Sequence, residues 1–159
     1  MVIKLGQVEI ELTEQVLRIL KKYVQGTGKN ESGGILLGGF IPSINKYVIT
    51  NISEPSSKDI SGSSFFIRSR ENAQRIIDEF WEDSCGKINY LGEWHTHGCE
   101  MPYPSFTDKR LLEMLVEDES NVWNEIFMLI VGKDASFYIG MTNMRAKGRI
   151  VAEALVKEG

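Results

Sequence analysis

Two histidines one residue apart offer the clearest chemistry in this chain of 159 residues. His95 and His97 are its only histidines, and they end the segment "INYLGEWHTH", whose pattern predicts a strand. In a strand, side chains at positions i and i+2 point to the same face, about 6.5–7 Å apart. Both imidazoles can therefore reach one metal ion from the same side, and neutral imidazole is a good zinc ligand. Trp94, directly before His95, and Thr96 point to the other face, and Trp94 is expected to enter the core.

Asp108 is the candidate third ligand, because it follows His97 after ten intervening residues. It lies in the first turn of a helix predicted over "SFTDKRLLEMLVED", where the helix dipole favours a carboxylate. Ser105 and Asp108 also match the capping box, in which a serine and an acid three residues later bond each other's backbone. From these residues alone, a metal site and a plain helix cap beside a chance histidine pair both remain open.

Hydrophobic periodicity predicts the elements that must position these side chains. A helix is expected from Thr13, as its cap, to about Gln25, and another from Glu71 to Glu82. Strands alternate with these helices, which predicts an α+β fold with helices packed on a mixed sheet. The expected strands are Gln7–Leu12, "GILLGGFI", "KYVITNISE", "SFFIRS", "EIFMLIVG" and "SFYIGMT", with "PSSKDISGS" as a mobile loop. The tail "GRIVAEALVKE" fits a strand or a helix, and the strand is favoured.

Composition narrows the classes of partner. The net charge of -4, without a basic cluster, argues against nucleic acid. No apolar run approaches the roughly 20 residues of a membrane span, so no membrane partner is expected. The start lacks the apolar region of a signal peptide, and two cysteines make no disulfide framework. We therefore expect one cytoplasmic domain over residues 1–159, with Cys85 and Cys99 reduced.

The segment "HTHGCEMPYPSFTD" resembles the His-x-His-(ten residues)-Asp motif of the JAMM/MPN+ metalloproteases, including the serine three residues before the aspartate. Upstream, "NESGGILLGGF" sets a glutamate before a glycine-rich strand, as in that family. The resemblance implies a single MPN/JAB-type domain, cytidine deaminase-like, with a curved mixed β-sheet flanked by helices. It covers nearly the whole chain in element order.

The same resemblance implies a role for each matching residue. His95, His97 and Asp108 correspond to the zinc ligands. Glu31 corresponds to the general acid/base that handles the proton of the attacking water. Ser105 corresponds to the residue that hydrogen-bonds the developing oxyanion.

Family members cleave after the C-terminal tail of ubiquitin or a ubiquitin-like protein. The "GEWHTH" version is similar to small prokaryotic JAB proteins of CBASS antiphage operons. Those proteins release a nucleotidyltransferase from conjugates made by a partner E1/E2-like enzyme. The implied partner is thus a ubiquitin-like tail or its conjugate.

A non-catalytic MPN-type scaffold is the alternative, although the full set of five residues argues against it. A nucleobase deaminase is excluded, because this sequence lacks the Pro-Cys-x-x-Cys element that such enzymes need. A cysteine hydrolase is disfavoured, because both histidines are already explained by the metal motif.

Four features near the motif carry further expectations. Gly98 stands where most members have proline, which leaves the exit from the strand freer. A Cys99 thiolate could occupy an open metal position, or it could be an exposed loop cysteine with no role. Glu93 could orient an imidazole, or it could be a solvated strand residue. The segments Ser56–Ser64 and Gly98–Pro104 are expected to flank a groove for an extended substrate tail.

Overall fold

The structure is a computed structural model that describes residues 1–157, so Glu158 of the predicted tail strand and Gly159 lie outside the described residues. An eight-stranded mixed sheet, a separate two-stranded hairpin and three α-helices make up the fold, and the predicted α+β class is confirmed. Within the described residues, no helix is long and apolar enough to cross a membrane. The strands are β1 Val2–Leu5, β2 Val8–Leu12, β3 Gly33–Ile41, β4 Lys46–Ile52, β5 Ile60–Gly62, β6 Phe65–Ile67, β7 Asn89–Thr96, β8 Glu125–Val131, β9 Phe137–Asn143 and β10 Ala152–Val156; the helices are α1 Glu14–Lys22, α2 Arg70–Asp83 and α3 Phe106–Val116.

The order of strands in the large sheet is β1-β2-β4-β3-β7-β8-β9-β10. The pairs β2/β4 and β7/β8 are parallel, and the other neighbours are antiparallel. The strand with the histidines, β7, is therefore central, between β3 and β8. A strand that is paired on both sides is a rigid support for a site.

The helices cover both faces of this sheet. Helix α1 buries Val16 and Leu20 in the main core, which also contains Trp94 of β7. Helix α3 packs Leu112 against β8 and β9 on the opposite face, where α2 packs Ala73 against β3. Because side chains alternate along a strand, His95 points to the α2/α3 face while Trp94 enters the main core, as predicted.

Two predicted elements differ from the observed ones, and the predicted tail strand agrees. Helix α1 ends at Lys22 rather than near Gln25, since Tyr23 leaves the helical conformation and Gly26 and Gly28 follow. The alternating start forms two strands, because Gly6 at φ 61° turns the chain between β1 and β2. The tail strand is present as β10, paired with β9.

The segment predicted as a mobile loop contributes β5, which pairs with β6 in a hairpin separate from the large sheet. The carboxylate of Asp59 accepts hydrogen bonds from the backbone N–H groups of Ser56 and Ser69, so the base of the hairpin is closed by protein contacts. Phe66 of the hairpin lies against Gly33 of β3, where an added Cβ would come within 2.5 Å of its ring. The hairpin thus lies directly on the large sheet.

Gly92 holds the register of β7 three residues before His95. Its φ is +142°, and an added Cβ would lie 1.8 Å from the carbonyl oxygen of Phe127 on β8. The pairing of β3 with β7 also shifts between Leu36 and Leu37, opposite this position. Only glycine satisfies both the backbone conformation and the close approach of β8.

We expect Gly92→Ala to destabilise the protein on the order of 2–6 kcal/mol, by adding backbone strain to overpacking. Thermal unfolding followed by circular dichroism measures the change. The matched control is Gly28→Ala, because Gly28 also has a positive φ of 76° but nothing lies within 4 Å of an added Cβ. That variant should lose only about 1–2 kcal/mol. Equal losses in the two variants would contradict the role of the β7–β8 contact.

Candidate metal centre

The two imidazoles meet at the end of β7. His95 is the penultimate residue of the strand and is 6% exposed, and His97 directly follows the strand. The N–H of His97 donates to the carbonyl of Val131, which continues the parallel pairing with β8 past the strand end. Their Nε2 atoms are 3.1 Å apart. The sheet therefore brings the same nitrogen of each ring to one point.

Asp108 contacts both rings at this point. Its Oδ1 lies 3.1 Å from Nε2 of His95, and its Oδ2 lies 3.2 Å from Nε2 of His97. The same carboxylate accepts a hydrogen bond from the N–H of Ser105, and the Ser105 hydroxyl accepts one from the N–H of Asp108. The capping box and the contact with the histidines thus exist together, so the two alternatives left open by the sequence do not exclude each other.

The spacing of these atoms fits a tetrahedral metal ion. The three contacts are 3.1, 3.1 and 3.2 Å long and join four atoms, since His95 meets Oδ1 of Asp108 and His97 meets Oδ2. Ligand bonds of about 2.0–2.1 Å in tetrahedral geometry place ligand atoms about 3.3 Å apart. Two imidazole nitrogens and a carboxylate are also the donors that a catalytic zinc site uses, with its fourth position left for water or substrate.

Glu31 lies beside the imidazole pair, and one of its carboxylate oxygens is within 4.8 Å of a ring nitrogen of His95 and of a ring nitrogen of His97. Its place follows from the register of β3 on β7. Gly33 pairs with His95, and Ser32 and Thr96 exchange hydrogen bonds, so Glu31 comes next to the end of β7. Burial of the carboxylate raises the pKa of Glu31, against the opposing effect of the two histidines.

The charges in this cluster favour an anionic Asp108. Burial would raise its pKa, but hydrogen bonds from His95 and His97 outweigh burial and hold the pKa well below its usual range. For His97, burial alone would lower the pKa, whereas the hydrogen bond to Asp108 raises it overall. A backbone hydrogen bond with Tyr103 acts in the same direction. A carboxylate with a lowered pKa next to two imidazoles is suited to bind a cation.

Ser105 is exposed at the start of α3, where it is the N-cap. Its hydroxyl oxygen accepts the bond from the N–H of Asp108, which leaves the hydroxyl proton free to be donated elsewhere. The motif therefore places an exposed donor three residues before the carboxylate that contacts both histidines.

Both expectations for Glu93 are wrong. It is 5% exposed, and both of its oxygens accept from Nε of Arg68, at 2.8 and 2.9 Å. The hydroxyl of Tyr90 donates to the same carboxylate. Glu93 is thus a buried ion-pair partner, neither solvated nor hydrogen-bonded to an imidazole. Its partner lies 25 positions away, just after β6, and no local pattern could have indicated it.

The segment from Gly98 to Pro104 is fixed by the turn between β8 and β9. The N–H of Lys133 donates to the carbonyl of Cys99, and the hydroxyl of Ser136 donates to the carbonyl of Glu100. These bonds fix the strand exit although Gly98 replaces the family's proline. The Cys99 thiol is exposed and contacts the carbonyl of Met101, and it does not belong to the cluster around the histidines.

Comparison with known proteins identifies similar chains. A family model described as prokaryotic homologs of the JAB domain matches residues 13–147. A CD-NTase/cGAS isopeptidase of Escherichia coli is 35% identical over 123 residues, which are 77% of this chain and 74% of that protein. A protein of the same name from Vibrio cholerae is 38% identical over 69% of this chain and 66% of its own length.

More distant relatives extend the similarity. A probable metalloprotease of Sinorhizobium fredii is 28% identical over 86% of this chain and 87% of its own length. A solution structure from Desulfitobacterium hafniense has the same fold, with a TM-score of 0.57 at 18% identity, over 84% of this chain and 88% of that one. The JAMM/MPN+ resemblance of the sequence is confirmed: this chain belongs to the prokaryotic JAB-domain family.

Proposed function

We propose that this chain is a zinc-dependent isopeptidase that cleaves a conjugated protein after its C-terminal tail. The observation that carries the proposal is that the Asp108 carboxylate contacts Nε2 of both His95 and His97, with Glu31 beside them. Isopeptidases and a probable metalloprotease among the relatives support a hydrolase that uses a metal. A non-catalytic scaffold would have no need for this arrangement.

The three ligands would hold the zinc ion, which polarises the scissile carbonyl and lowers the pKa of water when bound. Glu31 acts as the general base that takes the proton of the attacking water, and it then donates that proton to the leaving lysine amine. No residue of the chain becomes acylated. The buried position of Glu31 keeps bulk water away from the proton transfer.

Ser105 is proposed to stabilise the charge that develops on the carbonyl oxygen. Its hydroxyl is already fixed by the helix cap, so little reorganisation is needed when the oxyanion forms. The exposed position at the start of α3 allows a substrate carbonyl to approach it.

The substrate tail would lie extended between the hairpin β5–β6 and the segment from Gly98 to Pro104. The hairpin borders the site directly, since the N–H of Glu31 donates to the carbonyl of Gly62 at 2.8 Å. An extended peptide can pair with a hairpin edge through its own backbone. The names of the relatives favour a CD-NTase as the protein released from the conjugate, and the sequence resemblance favours a CBASS antiphage system. We assign that substrate to this chain as part of the proposal.

Metal binding tests the ligand set. The purified chain should bind one zinc ion, measured by mass spectrometry, and His97→Ala should reduce its affinity at least tenfold. The Co²⁺-loaded chain should show tetrahedral absorption bands without a sulfur-to-metal charge-transfer band, because the ligands are two nitrogens and an oxygen. Cys99→Ser should leave that spectrum unchanged. A sulfur band that disappears in Cys99→Ser would overturn the ligand set.

Cleavage tests the reaction. The probe is an E. coli CD-NTase joined through its C-terminal carboxyl to the lysine side chain of a fluorescent peptide. We expect zinc-dependent release, and Glu31→Gln should slow it by about 10²–10⁴-fold at unchanged zinc content. Glu119→Gln, a change of the same type away from the site, should leave the rate as it is. A zinc-loaded wild-type chain that releases neither this probe nor a ubiquitin-like tail would favour the scaffold.

Ser105 combines a cap and an oxyanion donor, and one pair of variants separates these roles. Ser105→Ala should lower kcat about 10²–10³-fold and cost about 1 kcal/mol through the lost cap. Ser105→Thr keeps a hydroxyl and should retain most of both. Rates measured well below the melting temperature, together with thermal unfolding, give the two quantities. A loss of stability in Ser105→Ala without a loss of rate would leave only the cap.

A further inference from the structure

Gln25 joins two segments that are distant in sequence. Its side chain is only 5% exposed, just beyond the end of α1. The amide Nε2 donates to the carbonyl of Lys29 at 2.8 Å and to the carbonyl of Ser63 at 3.1 Å. Lys29 belongs to the loop that leads into Glu31, and Ser63 lies in the turn of the hairpin β5–β6. One amide group therefore fixes the loop and the hairpin turn to each other.

The same amide reaches the exit of the histidine strand. A Cβ added to Gly98 would lie 3.4 Å from Cδ of Gln25, so the amide packs against the residue that follows His97. A second link runs alongside, because the N–H of Glu31 donates to the carbonyl of Gly62 next to Ser63. Gln25 thus lies where the loop before Glu31, the hairpin turn and the end of the metal-binding segment come together.

The acceptor of this side chain is unused. Both donors of the amide go to carbonyl oxygens, so the orientation of the group is set, and Oε1 has no hydrogen-bond partner among residues 1–157. A buried polar atom without a partner is unfavourable for stability, and native structures contain few of them. A core chosen for stability alone would put an apolar side chain here. The two donor contacts are therefore the property that explains a glutamine at this position.

We propose that Gln25 is a positioning residue that fixes Glu31 and the hairpin β5–β6 relative to the histidines. The inference rests on the proposed function, which makes Glu31 the general base and the hairpin a border of the substrate groove. Gln25 touches neither the metal ligands nor the reacting atoms. It acts by keeping the carboxylate and the groove in register, and misplacement of a reacting group by about 1 Å can cost about 100-fold in rate.

Amide hydrogen exchange tests the coupling without any substrate. Gln25→Met keeps the length of the side chain and removes both donors. It should speed exchange together in residues 29–31 and 61–65, while residues 89–96 of β7 keep their protection. The control is Lys29→Ala, which retains the carbonyl that Gln25 contacts and should exchange like the wild type. Unchanged exchange of both segments in Gln25→Met would overturn the proposal.

Kinetics separate positioning from a purely structural tie. With the CD-NTase peptide probe, well below the melting temperature, Gln25→Met should lower kcat about 10–100-fold while zinc affinity stays within about threefold. Lys29→Ala should match the wild type. Faster amide hydrogen exchange in Gln25→Met with unchanged kcat and KM would mean that Gln25 only stabilises the structure, and it would overturn the positioning role. If the wild type releases no product at all, the proposed function fails, and exchange alone decides whether Gln25 couples the segments.

Discussion

The contact between one carboxylate and two imidazoles organises this molecule. Asp108 reaches Nε2 of His95 and of His97 only because α3 begins beside the end of β7, on the sheet face where His95 points. The packing of Leu112 of that helix against β8 and β9 fixes where it begins. The core of the α3 face and the chemistry of the site are therefore parts of one arrangement.

The glutamate depends on a second constraint, the register of two neighbouring strands. Ser32 and Thr96 exchange hydrogen bonds directly beyond the Gly33–His95 pair, so Glu31 comes next to the imidazoles. Since side chains alternate along a strand, a slip of one residue would turn the carboxylate away from them. Gly92, with its close approach to β8, limits such slips within β7 itself.

Local patterns predicted the parts of the fold that are set by local physics. The spacing of two and the capping box placed His95, His97, Ser105 and Asp108 on their elements, and periodicity found α2, β8 and β9. Of the hairpin, β6 was predicted and β5 was not, because three-residue strands show little periodicity. The end of α1 was placed too late, although Gly26 and Gly28 already signal a break.

Local sequence patterns could not predict contacts between residues that are far apart in the chain. Arg68 and Glu93 are 25 positions apart and Gln25 and Ser63 are 38 apart, and such pairs arise only when the chain has folded. Glu93 shows the difficulty clearly, since its place in a strand was predicted and its partner was not. The role proposed for Glu31 needed the family resemblance as well, because a loop glutamate alone does not indicate a function.

The packing of Phe66 against Gly33 limits how chimeras of related proteins can be built. The hairpin can lie on the sheet because Gly33 of β3 has no side chain. A Cβ at that position would lie 2.5 Å from the ring of Phe66 and 2.6 Å from the carbonyl oxygen of Trp94. A chimera that imports another hairpin therefore has to import the complementary strand position with it. The unit of modular exchange is the hairpin together with the first residues of β3, although 26 residues lie between Gly33 at the start of β3 and Ile60 at the start of β5.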